Sequence, residues 1–128
     1  MKNVLIVLLL SISLIGCATT SSQIATADYG RYPDNYEGIV QNWINSAFFD
    51  PYSIRDLRIN PPKKYYLRPL FRRAYYGYRV RVSCNAKNRM GGYIGKEIRN
   101  LLIRNGMIIQ TWKDGELEIL CWQGGEVN

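Results

Sequence analysis

Seven consecutive residues, Tyr78-Arg79-Val80-Arg81-Val82-Ser83-Cys84, alternate apolar and polar side chains without a break. Side chains of an extended strand point alternately to its two faces, so Tyr78, Val80, Val82 and Cys84 share one face. Arg79, Arg81 and Ser83 share the other. A helix would scatter the same residues around its circumference. The stretch predicts a half-buried strand with a charged outer face, and the rest of the chain must build a sheet around it.

Downstream, residues 98 to 104 and 107 to 112 are apolar runs flanking Asn105-Gly106. That dipeptide suits the two left-handed positions of a tight hairpin turn. A second turn at Lys113-Asp114-Gly115 leads to residues 116 to 122, where Leu117, Ile119 and Cys121 fall on one face. Upstream, Ile39, Val40, Trp43, Ile44, Ala47 and Phe48 have the spacing of an amphipathic helix. Asp34 or Asn35 supplies its cap, Glu37 sits in its first turn, and Pro51 disfavours a helical Asp50. Ile54, Leu57 and Ile59 suggest a short extended piece closed by Pro61-Pro62, and KKYYLRPLFRRAYYGY reads as a loop running into the strand. The fold expected is α+β, one amphipathic N-terminal helix packed on an antiparallel meander of about four strands. It covers residues 36 to 123, and residues 124 to 128 are expected to fray.

The N-terminus is a different material. Residues 4 to 15 are Val, Leu and Ile broken only by Ser11 and Ser13, preceded by Lys2. Twelve residues are too few to span a hydrocarbon core, which needs about 20, so the run reads as a secretory signal. It ends in Leu14-Ile15-Gly16-Cys17. These four residues resemble the lipobox of bacterial lipoproteins. The resemblance implies that residues 1 to 16 are a signal peptide cut before Cys17, whose thiol takes a diacylglycerol and whose new amino group takes an acyl chain. The alternative is an ordinary signal peptide that happens to hold a cysteine. One acyl chain anchors marginally, and two or three anchor firmly at about 0.8 kcal/mol per buried methylene. Ala18 stands where Asp commonly marks retention in the inner membrane, so the resemblance implies an outer-membrane anchor facing the periplasm. Residues 17 to 35 then read as the lipidated cysteine and a flexible tether.

Without residues 1 to 16 the chain has 112 residues, one small domain, with a net charge of +6 against +7 for the whole. Between Arg55 and Arg104 lie 14 Lys and Arg but only two acids, Asp56 and Glu97. Such a field attracts anionic partners. The two cysteines left after Cys17, Cys84 and Cys121, each end an inward-facing set, and an oxidising compartment favours a disulfide between them. Two buried free thiols are the alternative.

Enzyme chemistry finds little support. The chain has no histidine, so the commonest general base and the Ser/His and Cys/His pairs are unavailable. No cluster has metal-ligand spacing, and no cofactor is expected beyond the acyl groups on Cys17. Gly91-Gly92-Tyr93-Ile94-Gly95 lacks the pattern of a phosphate loop. A wall-active enzyme would need paired carboxylates, for which Glu97, Asp114 and Glu116 are the acids to inspect.

Two stretches are candidates for binding. DPYSIRDLRI with NAKNRMGGYIG resembles a recurring small exported bacterial domain of no assigned activity, a likeness covering roughly residues 45 to 105. The loop of Asn85, Lys87, Asn88, Arg89 and Tyr93 is either a binding loop or a structural one that sets the register of the sheet. In the second stretch, tyrosines including Tyr75 interleave with Arg68, Arg72 and Arg73, and Tyr and Arg are enriched in interfaces. The expected function is a membrane-anchored envelope lipoprotein without catalytic activity, an interaction module in an outer-membrane or secretion assembly. Its partners would be the bilayer, through the anchor, and an acidic envelope protein. The alternative is direct binding of an anionic polymer: lipopolysaccharide, wall polymer or translocating DNA. No small-molecule substrate is evident.

Overall fold

The structure, a computed structural model, describes residues 19–69, 72–116 and 123–128. Its centre is β3, Tyr75–Lys87, a strand of 13 residues that contains the alternating stretch. Val80, Val82, Cys84 and Ala86 are buried along one face of it. On one flank β3 pairs antiparallel with β4, Tyr93–Arg104. On the other it pairs with two strands end to end, β1 (Arg55–Ile59) beside its second half and β2 (Lys63–Arg68) beside its first. Pro61 and Pro62 separate those two strands, because proline has no N–H to give to a ladder. Asn60, just before them, still donates its N–H to the Arg81 carbonyl at 2.9 Å. β5, Met107–Lys113, pairs with β4, and β6, Gln123–Glu126, pairs with the outer side of β2.

The expectation of one helix on a meander of about four strands is therefore overturned. The sheet has six antiparallel strands in the order β5-β4-β3-β2-β6, with β1 beside β3, and sheet dominates the chain. It is not a meander either, because β5 lies at one edge and β6 at the other. Two readings caused the miscount. The basic stretch taken as a loop forms β2, in which Lys63 and Lys64 are exposed and buried Tyr65 and Leu67 alternate with half-buried Tyr66 and Arg68. The tail expected to fray contains β6, whose Gly124 and Gly125 lie close against Tyr65 and Tyr66 of β2. The expected strand over residues 116 to 122 falls largely on residues outside those described.

Among the described residues two α-helices precede the sheet: α1, Ser21–Thr26, and α2, Tyr36–Ala47. The apolar stripe of α2 lies where its spacing puts it. Val40 and Ile44 are buried against Val80, Val82, Leu101 and Ile103, with Tyr36, Ile39, Trp43 and Phe48 packed around them. Each such aliphatic side chain contributes about 1.5–3 kcal/mol on burial. The helix ends at Ala47, earlier than Pro51 alone demands, and the Phe48 N–H closes it on the Ile44 carbonyl. A second core lies on the opposite face, where Tyr65, Leu67, Leu102 and Trp112 pack together. The Asn105-Gly106 turn forms as expected, both residues having positive φ, 50° and 79°.

The molecule thus has two ends. The β2–β3 and β4–β5 turns lie at one, the hairpin end, and the β3–β4 loop lies at the other. At about 3.3 Å per residue, β3 holds them roughly 40 Å apart. Ile44 is fully buried against the core residues of β3 and β4, so Ile44→Ala should lower the unfolding free energy by about 2–5 kcal/mol in urea titrations followed by tryptophan fluorescence.

Candidate functional site

The nine expected binding residues do not form one surface. Arg68, Arg72, Arg73 and Tyr75 lie at the hairpin end, whereas Asn85, Lys87, Asn88, Arg89 and Tyr93 lie at the far end. The cations sort the same way. Of the 14 between Arg55 and Arg104, five make ion pairs with described carboxylates: Lys63, Arg79, Arg81, Arg99 and Arg104. Lys64 apart, the rest divide between the ends: Arg68, Arg72 and Arg73 at one, Arg55, Arg58, Lys87, Arg89 and Lys96 at the other.

At the far end the loop is closed on itself. The Asn88 carboxamide oxygen accepts from the Met90 and Gly92 N–H groups at 3.0 and 3.1 Å, and its backbone N–H donates to the Gly92 carbonyl at 2.9 Å. The Asn85 oxygen accepts from the Gly95 N–H at 3.1 Å. Both asparagines are thus occupied in holding the loop, as Asn commonly is in turns. What they present outward is cationic and apolar. Arg55 lies 4.3 Å above the Tyr93 ring and the Lys87 ammonium 5.4 Å from it, while the Tyr93 hydroxyl donates to the Ser53 carbonyl at 2.9 Å. Charge over an aromatic face contributes about 0.5–1 kcal/mol at an exposed site, enough to orient both cations. Around them Tyr52 and Met90 are almost wholly exposed, 98 % and 94 %, and Ile94 is 57 % exposed.

A β-bulge adds to this surface. Arg55 lies opposite Asn85 and Arg58 opposite Ser83, so three steps along β1 match two along β3. Residues three apart on a regular strand point to opposite faces, and the extra residue brings both arginines to one face. Asp56, with φ 54°, absorbs the irregularity in the left-handed region that Asp tolerates. Lys96, opposite Asn85, joins them, and a depression of about 330 Å³ opens among Asp56, Arg58, Asn85 and Lys96. None of Arg55, Arg58, Tyr52 or Lys96 was among the expected binding residues. Arg55 and Arg58 stood out only as charge, and a bulge leaves no mark in periodicity.

The middle of the same face is ionic. Arg79 lies 4.6 Å above the Tyr65 ring and pairs with Glu126, which also takes Lys63 at 3.2 Å. Asp114 bonds Arg81 at 2.5 Å and the Asn100 amide at 2.7 Å. Arg79 Nε and Asn100 Oδ1 are buried without a partner among the described residues. The three carboxylates of interest for catalysis are all engaged: Glu97 with Arg99 and Lys113, Asp114 as above, and Glu116 with the Lys113 N–H at 2.7 Å. Among the described residues no group of three or more His, Cys, Asp or Glu side chains is placed to hold a metal.

The hairpin end is covered by the segment expected to be a flexible tether. The Thr19 N–H donates to Gln123 at 3.2 Å, and Arg68 donates to the Thr19 hydroxyl at 3.3 Å. Thr20 and Gln23 form a capping box at the start of α1. Tyr29 is buried edge-on against Tyr76, with centroids 5.5 Å apart. Asp28 bonds Arg104 at 2.8 Å, and the Arg31 N–H donates to the Asn105 side chain at 3.0 Å. Gly30 has φ 75°, and a Cβ there would stand 2.6 Å from the Asn105 oxygen, so the strap fits the turn only with glycine. Residues 19 to 35 are a strap, not a free linker.

Cys84 is a free thiol, buried in β3; Cys121, its expected partner, and Cys17 lie outside the described residues. Burial and the nearby Glu97 push the Cys84 thiol pKa up, with Arg99 opposing them. Cys84 should therefore resist iodoacetamide at pH 8 in the native protein and react in denaturant, as read by peptide mass mapping. The Gly30 N–H and then Arg104 hold the Asp28 carboxyl below its usual 3.8. A lowered carboxyl pKa stabilises the strap above that value, and the contribution is lost as pH falls through the still lower folded value. Asp28→Asn should therefore speed amide exchange in residues 19 to 35 at pH 6, and the difference from the native chain should shrink as the pH falls below 3.8. No protein-family model matches the chain, and comparisons with curated proteins and with solved structures return no match.

Proposed function

We propose that this chain is a lipid-anchored envelope protein whose domain is a non-catalytic interaction module, and that its far end is the surface that takes a protein partner. The observation that carries the reading is the concentration there of Arg55, Lys87 and Arg89 beside exposed Tyr52, Met90 and Ile94. Cations with exposed aromatic and sulfur side chains fit a partner with an acidic rim around an apolar centre. The rigid Asn88 turn keeps the loop in one shape, which lowers the entropy lost on binding. Among the described residues no helix is long and apolar enough to cross a membrane, and the anchor assigned is the acylated Cys17, in the outer membrane with the domain in the periplasm.

The second reading, an anionic polymer on the bulged face, draws on Arg55, Arg58 and Lys96 around their depression. Salt separates the two. A polyanion complex weakens steeply and smoothly with ionic strength, and a packed protein contact does not.

A photo-crosslinking residue at position 89 should capture one discrete protein band in intact cells. Met90→Asp should reduce that band several-fold without lowering the thermal midpoint, since the side chain packs against nothing. A smear that disappears in salt would replace the protein-partner reading with the polymer one. Retention of Cys17→Ser in the membrane fraction would overturn the anchor.

A further inference from the structure

We infer that the hairpin end, carrying Arg31, Arg68, Arg72 and Arg73, is a docking face for the anionic headgroups of the bilayer that holds the anchor. The inference rests on the acylation of Cys17 proposed above and adds an orientation to it. Thr19 does not swing freely: Gln123 and Arg68 hold it against the end of β2 and β6. Only Ala18 separates it from Cys17, and two extended steps of the chain span at most about 7 Å. A lipid on Cys17 must therefore lie beside this end of the domain. A tether of 17 or so free residues, as the small polar composition suggested, would impose no such closeness.

The side chains at this end suit that position. Arg72 and Arg73 are exposed in the β2–β3 turn, and Arg31 is exposed on the strap over the Asn105-Gly106 turn. Arg68, Arg72, Arg73 and Arg31 pair with no described carboxylate. Asp28, the carboxylate seated here, is already bonded to Arg104. Met107, 67 % exposed, projects from the neighbouring turn, where an apolar side chain can enter the interface between headgroups and acyl chains. Guanidinium groups donate in a fork that matches phosphate oxygens, and cations close to an anionic leaflet are drawn to it over about one Debye length. Acyl chains set the distance, and the four arginines set which side of the domain meets the lipid.

The test uses the full mature protein, extracted from cells, its intact mass recorded, and reconstituted in vesicles. Vesicles of phosphatidylcholine are compared with vesicles containing phosphatidylglycerol as a fraction of the lipid. Trypsin cuts are mapped in time at Arg72 and Arg73 and, as the internal reference, at Lys87 and Arg89. On anionic vesicles cleavage after Arg72 and Arg73 should slow by about tenfold relative to Arg89, and on neutral vesicles the ratio should return toward its value in detergent. Equal cleavage at both ends on anionic vesicles, with the lipid present in the mass, would overturn the docking face while leaving the anchor intact. Equal protection on neutral and anionic vesicles would overturn headgroup recognition. A mass lacking acyl groups would overturn the anchor, and the docking face with it.

Discussion

The pairing of β3 along its whole length is the constraint on which the rest of the structure depends. Thirteen residues of one strand serve as the template for β1, β2 and β4, and β5 and β6 attach only through those neighbours. A strand that long needs two cores, because neither face can be left to water over its full length. The face toward α2 is closed by Val40 and Ile44; the other closes over Tyr65, Leu67, Leu102 and Trp112 near the hairpin end. Beyond those residues the second face turns ionic and then basic. The change follows from β3 itself, which places Gly77, Arg79, Arg81, Ser83 and Asn85 in succession along that side. Glycine there is obligatory at one point: a Cβ on Gly77 would stand 2.6 Å from the Ile103 carbonyl oxygen.

Ionic residues in the middle of a sheet face are costly unless they are paired, since exposed pairs stabilise little and buried ones must first be desolvated. Arg79 meets this cost in two ways, by stacking on Tyr65 and by pairing with Glu126 from the last strand. Asp114 does the same for Arg81 from the turn after β5. The acids near the C-terminus thus neutralise the middle of the basic region, and its two ends keep their charge. Arg99 takes its acid from Glu97 two residues away; for Arg79 and Arg81, strand order rather than nearness in sequence supplies the partner.

Periodicity made β3, α2 and the Asn105-Gly106 turn legible, since each is a local pattern with a single geometric solution. β2 was hidden because Pro61, Pro62 and Pro69 flank it and lysine opens it, and those residues read as a loop until an edge position beside β3 is available. β6 was hidden for a related reason. Gln123, Gly124 and Gly125 have no strand propensity of their own, and they pair because glycine admits the Tyr65 and Tyr66 rings. The strap was missed for its small polar composition, which describes a linker equally well until Tyr29 and Gly30 meet Tyr76 and Asn105. In the candidate surfaces the loop residues were visible as types, and Arg89 and Lys87 do project outward. Asn85 and Asn88 turned inward to their own backbone, a distinction that depends on φ and ψ rather than on residue identity.

Separation along β3 has a mechanical consequence. A domain docked by one end to a bilayer would carry its other end about 40 Å into the periplasm, with little freedom to tilt, because strap and strand are held by hydrogen bonds at Thr19, Asp28 and Arg31. Orientation and distance then act together on binding. The proposed anchor would confine the far end to a layer near one height above the membrane, which would raise its effective concentration for a partner whose acidic surface lies at that height and lower it for any other. A flexible tether of the same length would spread the far end through the whole of that depth. Specificity in such a module would come partly from the Arg55, Tyr93 and Met90 surface and partly from where β3 places it.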